Sequence, residues 1–120
     1  MANEILLNYN LSLTNGSLKR SAVSGNVQMD QATARAYGDV QAIGTSAETL
    51  AKGSIGTVGV CEFQNLDATN FVEIGFDDTG FKSVIKLKAG ERFVVRLSTS
   101  APQAKADTAS VELAYTMYED

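Results

Sequence analysis

Residues 58–97 read VGVCEFQNLDATNFVEIGFDDTGFKSVIKLKAGERFVVRL, four or five short alternating runs separated by turn-forming residues. Val72, Ile74 and Phe76 fall on one side of such a run, and Phe71, Glu73 and Gly75 on the other. A side-chain period of two belongs to a β-strand with one buried face. Asp77-Asp78-Thr79-Gly80 then supplies a tight reversal. The return strand, residues 81–87, turns Ile85 and Leu87 inward and Lys86 and Lys88 outward. Ala89-Gly90 makes the next turn, and residues 92–97 place Phe93, Val95 and Leu97 on one face opposite Arg92, Val94 and Arg96. Strands this closely spaced leave no room for the crossover helices that parallel pairing requires.

The flanking sequence continues the pattern and looks like material that completes a second sheet. Ile5, Leu7, Tyr9, Leu11 and Leu13 alternate over residues 4–13, a half-buried strand. Asn15-Gly16 is the dipeptide best suited to a two-residue hairpin turn, with residues 17–23 returning and Gly25-Asn26 turning again before Val27 and Met29. Residues 39–43 read as a strand. Thr45 and Glu48 match a helix capping box and Gly53 a helix stop, but Leu50 is the only bulky apolar residue there, so residues 45–52 stay open between a one- or two-turn helix and a strand or turn. Residues 98–106 read as a polar loop holding Pro102. A last strand over residues 110–118 alternates Val111, Leu113, Tyr115 and Met117 with Glu112, Ala114 and Thr116.

About eight to ten strands at this spacing indicate an all-β fold, a two-sheet antiparallel β-sandwich with jelly-roll connectivity as the first expectation. A length of 120 residues suits one domain, 1–120, with residues 1–7 as a possible N-terminal arm. Net charge −4 argues against nucleic acid as a partner. No run approaches the twenty apolar residues of a membrane-spanning helix, and MANEILLNYN lacks the basic and apolar regions of an export signal, so a soluble protein without a membrane partner is expected. The single cysteine, Cys61, leaves no internal disulfide and suits a reducing compartment.

No residue pattern suggests catalysis, and the expectation is a protein that is not an enzyme and uses no cofactor or metal. Histidine is absent, which removes the commonest general base and metal ligand. Cys61 lies mid-strand, where a structural thiol is the ordinary case. Gly53, Gly56 and Gly59 lack the lysine and the spacing of a phosphate-cradling loop and read as a plain loop. Asp77 and Asp78 could bind calcium, but the twelve-residue ligand spacing and a closing glutamate are missing, so a turn is the better reading. Glu62 and Glu73 do not by themselves make a glycosidase pair. Arg92 and Arg96 could read an anion but more often form a solvated or interfacial face. Sequons at Asn10 and Asn15 matter only in a secreted eukaryotic setting. Phe71 and Tyr118 are expected as aromatics on exposed strand faces, which suit association.

The run Asn65-Leu66-Asp67-Ala68-Thr69-Asn70-Phe71-Val72-Glu73-Ile74-Gly75 is followed by Ile85-Lys86-Leu87-Lys88-Ala89-Gly90-Glu91 and Val94-Val95-Arg96-Leu97, and preceded by Val40-Gln41-Ala42-Ile43-Gly44-Thr45-Ser46-Ala47-Glu48. Together they cover about half of the chain and resemble small virion proteins of tailed bacteriophages, in particular capsid cement or decoration proteins. The resemblance implies a β-sandwich on the outer capsid shell, with the phage major capsid protein as partner and an extended arm rather than a helix after Ile43-Gly44-Thr45. A symmetric homo-oligomer, with a trimer favoured, would clamp neighbouring capsid subunits at symmetry positions. Edge strands and residues 1–7 are candidate adhesive parts. The alternatives are a tail, neck or fibre-associated virion component and, in a different class, a glycan- or receptor-binding module, which the absence of Trp weakens.

Overall fold

The computed structural model describes residues 3–120, so the first two residues of the candidate arm lie outside the described residues. Among the described residues every regular element is a strand, and all pairings are antiparallel. The chain divides into two compact units, Met1–Ala32 and Thr33–Asp120.

The first unit is one long ribbon. Its outer pair is β1 (Ile5–Leu7) with β4 (Val27–Met29), and its inner pair is β2 (Asn10–Asn15) with β3 (Leu18–Val23). Ser24 bridges the interruption between the pairs: its backbone N–H donates to the Tyr9 carbonyl at 3.0 Å, and its Oγ accepts from the Tyr9 N–H at 2.8 Å. At the open end Asp30 accepts from the Asn3 N–H and Glu4 from the Gln31 N–H. The expected hairpin forms one residue later than Asn15-Gly16 suggests. Asn15 pairs with Leu18, so the turn residues are Gly16 and Ser17, with Gly16 at φ +61°. The expectation that residues 4–13 make one half-buried strand in a second sheet is overturned. The run breaks at Asn8-Tyr9, and β2 and β3 are exposed at every position because no third strand joins them.

The second unit is the expected two-sheet antiparallel sandwich, made of β5 (Ala36–Ile43), β6 (Glu48–Thr49), β7 (Val58–Asn65), β8 (Val72–Asp77), β9 (Phe81–Leu87), β10 (Arg92–Arg96), β11 (Gln103–Ala106) and β12 (Val111–Glu119). One sheet has the order β10-β7-β12-β5 and the other β6-β11-β8-β9. The pairs are nested, β5 with β12, β6 with β11, β7 with β10 and β8 with β9. A single long hairpin rolled up on itself has this pattern. The further pairs β7–β12 and β8–β11 close the two sheets.

The core lies between the layers. Cys61, Phe63, Leu113 and Met117 from one sheet meet Val72, Ile74, Leu87 and Ala104 from the other. Phe63 is fully buried, and withdrawing a ring of that size from water contributes about 2 kcal/mol. One local expectation needs correction, and one segment left open in the sequence takes the extended alternative. Residues 98–106 are not all loop: β11 is an inner strand whose Ala104 and Ala106 are buried, and its apolar positions are too small to stand out in the sequence. Residues 45–52 form no helix. Glu48 reaches back as the capping-box pattern suggests, but its carboxylate accepts from the Gly44 N–H at 2.9 Å and from the Gln41 amide at 3.1 Å, which supports an extended turn into the two-residue β6.

Candidate functional site: the open side of the sandwich

The two lateral sides of the sandwich are finished differently. On the side of β5 and β6, the Gln41 side chain accepts from the Ala51 N–H at 3.0 Å and donates to Glu48 and to the Thr49 carbonyl. The Tyr115 hydroxyl donates to the Ala51 carbonyl at 2.7 Å, and Leu50 is buried beneath this network. Burial pushes the Tyr115 phenol up to about 12, with the charge of Asp39 adding to it. That side is sealed.

The side of β9 and β10 is not sealed. These are the edge strands of their sheets, and between them lies a cavity of about 650 Å³ lined by Ile74, Val84, Ile85, Phe93, Val95 and Leu97. Phe93 is inward by register, opposite Phe63, yet 43% exposed. Val84 is 68% exposed because β9 bulges: Ile74 pairs with Ile85 and Gly75 with Ser83, which leaves Val84 without a partner position. Gly75 is obligatory at that bulge, since a Cβ there would overlap the Lys82 carbonyl. The cavity offers apolar surface with Arg96, Ser98 and Thr99 at its margin, so what it can do chemically is bind an apolar group.

The residues singled out in the sequence are not brought together there. Asp77 and Asp78 are exposed in the β8–β9 turn, where an Asp77 carboxylate oxygen accepts from the Gly80 N–H at 3.1 Å and Thr79 takes φ +53°. Gly53 takes φ +58° against the Tyr37 ring, and Gly59 lies in β7 rather than in a loop, so neither spacing nor position builds a phosphate cradle. Glu62 and Glu73 stand on the outer faces of different sheets with the core between them. Arg92 pairs with Glu62 at 2.8 Å and Arg96 with Asp120 at 2.7 Å. Burial drives the Cys61 thiol up to about 12. Among the described residues no group of three or more Cys, Asp or Glu is placed to hold a metal ion, and no helix is long and apolar enough to cross a membrane. Phe71 and Tyr118 are both half-buried, and the Lys86 ammonium sits 4.0 Å from the Phe71 ring centre. The exposed aromatics are instead Tyr9 and Phe93.

The stretch 65–75 owes its composition to architecture. Asn65 is fully buried at the end of β7. Its amide donates to the Asn70 carbonyl at 2.9 Å and to the Leu87 carbonyl at 3.0 Å, and its oxygen accepts from the Asp67 N–H at 2.8 Å. Its backbone carbonyl accepts from Gly90 and its N–H donates to Glu91. Asp67 in turn accepts from the backbone N–H groups of Asn70 and Thr69, which hold its carboxyl below the usual range. One asparagine thus ties the β7–β8 loop to the end of β9 and to the β9–β10 turn. Sequence reasoning missed this junction and the open side, although the inward run Phe93, Val95, Leu97 was visible. Compared with family models, curated proteins and solved structures, the chain finds no match.

Proposed function

We propose that the chain is a virion structural protein of a tailed bacteriophage, a capsid decoration or cement protein that binds the outer shell and bridges neighbouring major capsid subunits. The observation that carries this reading is the exposed apolar β-surface. Leu11, Leu13, Leu18 and Val23 of the N-terminal ribbon are 42–70% exposed, more than a small protein leaves uncovered without a partner. A two-stranded ribbon is only marginally stable alone in water, so a partner surface that covers its leucines would stabilise it. The nested strand pairing of the second unit supports a jelly-roll assignment, a fold common among viral shell proteins. The resemblance of residues 40–48, 65–75, 85–91 and 94–97 to decoration proteins adds the capsid as the site of assembly. The working form is a homo-oligomer, with a trimer favoured, on the particle surface after synthesis in the bacterial host cytoplasm.

Copy number in purified particles tests the proposal. Decoration of the shell requires about one copy per one to several major capsid subunits. A handful of copies per particle would instead favour the tail, neck or fibre role.

A further inference from the structure

We infer that two copies of the chain join edge to edge through β2, so that their N-terminal ribbons form one four-stranded antiparallel sheet about a two-fold axis. This rests on the homo-oligomer part of the reading above and names a contact within it, and it does not depend on the capsid. The contact joins copies in pairs, so a three-fold assembly built on it contains three pairs.

β2 presents a row of unpaired backbone groups. It is hydrogen-bonded to β3 alone and is exposed at every position. The Ser24 N–H donates to the Tyr9 carbonyl, which makes Tyr9 and Ser24 a hydrogen-bonded pair. Alternation along the unbroken register gives the same status to Leu11 with Ala22, Leu13 with Arg20 and Asn15 with Leu18. The N–H and C=O groups of Asn10, Ser12 and Thr14 therefore point away from β3, along the open edge. Such a row is a template for a further strand.

The other open edges are blunted. β9 carries a bulge with Lys82 and Lys86, β10 carries Arg92 and Arg96, and β3 carries Lys19 and Arg20. On β5 the Val40 N–H already donates to the Asp39 carboxylate at 2.8 Å. β1, β4 and β6 are only two or three residues long. Among the described residues, β2 is the one longer edge with no charge, no proline and no bulge. Its unguarded counterpart is therefore the β2 of a second copy.

The strand is complementary to itself. With Ser12 on the axis opposite its own copy, Asn10 lies opposite the second copy's Thr14, and these are the positions whose backbone groups point outward. Each such pair exchanges both of its hydrogen bonds. Leu11 then meets the second copy's Leu13 at the intervening non-hydrogen-bonded position, where side chains stand closest and each leucine covers part of the other. Charge agrees with this arrangement. Lys19 and Arg20 both lie on β3, the outer strand of the joined sheet, and three strand spacings of roughly 14 Å in all separate that strand from its copy. Packing two ribbons leucine face to leucine face would instead press Arg20, which shares that face, into the apolar layer.

Disulfide mapping and sedimentation equilibrium of the purified full-length chain, without capsid protein, test this separately from shell binding. Cα atoms of a hydrogen-bonded pair lie about 5.5 Å apart, within disulfide reach. Ser12→Cys is therefore expected to cross-link two copies under mild oxidation. Ser21→Cys, opposite Ser12 in the ribbon and equally exposed but on β3, is expected not to, and the native Cys61 is buried and does not compete. In sedimentation the wild type is expected to contain an even number of chains. Ser12→Lys and Ser12→Glu each place like charges on the axis and should raise the dissociation constant of the pair about fivefold, the upper end for a direct cross-strand pair. Mixing the two is expected to give a dimer of one copy of each in preference to either alone. A monomeric wild type overturns the inference together with the homo-oligomer reading. An oligomer with an odd number of chains, or one that cross-links through Ser21→Cys as readily as through Ser12→Cys, overturns the inference and leaves that reading standing. So does a mixture of the two charge variants that shows no preference for the mixed dimer.

Discussion

Asn65 is the polar keystone of the sandwich, and its replacement by leucine, which keeps the branch point and the number of side-chain heavy atoms, removes its hydrogen bonds. Three side-chain bonds are lost, to Asn70, Leu87 and Asp67. Each such bond contributes about 1 kcal/mol net, and the Leu87 carbonyl, left buried without its donor, adds about 1–2 kcal/mol. Asn65→Leu is therefore expected to lower the unfolding free energy by about 4 kcal/mol, read from urea titrations followed by the near-ultraviolet circular dichroism of Tyr37 and Tyr115. The urea slope should not change, since the surface exposed on unfolding is the same. Asn65→Asp should be worse at neutral pH, because a second carboxylate oxygen then faces two carbonyls. That penalty should shrink on acidification: a carboxyl so placed has a folded pKa above its unfolded one, and once protonated it can donate to one of the carbonyls. A loss below about 1 kcal/mol for Asn65→Leu, within the range of an ordinary surface substitution, would refute the claim that this junction holds the β7–β8 loop and the β9–β10 turn together.

Other consequences follow from the same packing. Gly75→Ala forces the β9 bulge apart and should cost about 3 kcal/mol or more, whereas Gly56→Ala, where a Cβ would meet only the Glu119 carboxylate at an ordinary 3.6 Å, should cost under about 1 kcal/mol in the same denaturation assay. Alkaline pH should destabilise the sandwich. Cys61 and Tyr115 are held protonated in the fold, from ordinary values of 9.0 and 10.0 up to about 12, so the stability they protect is full below about pH 9 and is lost as pH rises through 12. Cys61→Val should remove the earlier part of that loss in thermal melts recorded from pH 8 to 12. In the native chain Cys61 should resist a thiol reagent at pH 8 and react fully in urea. Arg92→Ala breaks only an exposed ion pair and should shift stability by less than about 0.5 kcal/mol.

The sandwich was legible because its signal is local. Val72, Ile74, Val111, Leu113, Tyr115 and Met117 alternate over single strands, and each of them is buried where the alternation places it. Four things were not legible, each for a physical reason. Ala104 and Ala106 of β11 line the core with methyl groups, which carry too little apolar contrast to mark an inner strand. The leucines of the ribbon alternate like those of a core strand, but alternation states only which residues share a face, and a neighbouring sheet must supply the burial. Leu11 and Leu13 stay exposed. The open side depends on which strands end up at the sheet edges, and that depends on the nested pairing of β7 with β10 and β8 with β9 rather than on any one segment. Phe93 and Phe63 have the same inward parity, and edge position alone leaves the first 43% exposed while the second is fully buried. Asn65 escaped notice for a related reason, since an asparagine before a turn is ordinary until three chain segments meet at it.

A shell-bridging protein stabilises the lattice only by binding the assembled state, so its effect must appear in the particle itself. The most direct measurement is the temperature at which DNA is released from phage particles lacking this chain, before and after the purified protein is added back. If the chain decorates the shell, release from the depleted particles comes at a lower temperature and returns to the wild-type temperature at saturating protein. Equal release temperatures for depleted, restored and wild-type particles would contradict it.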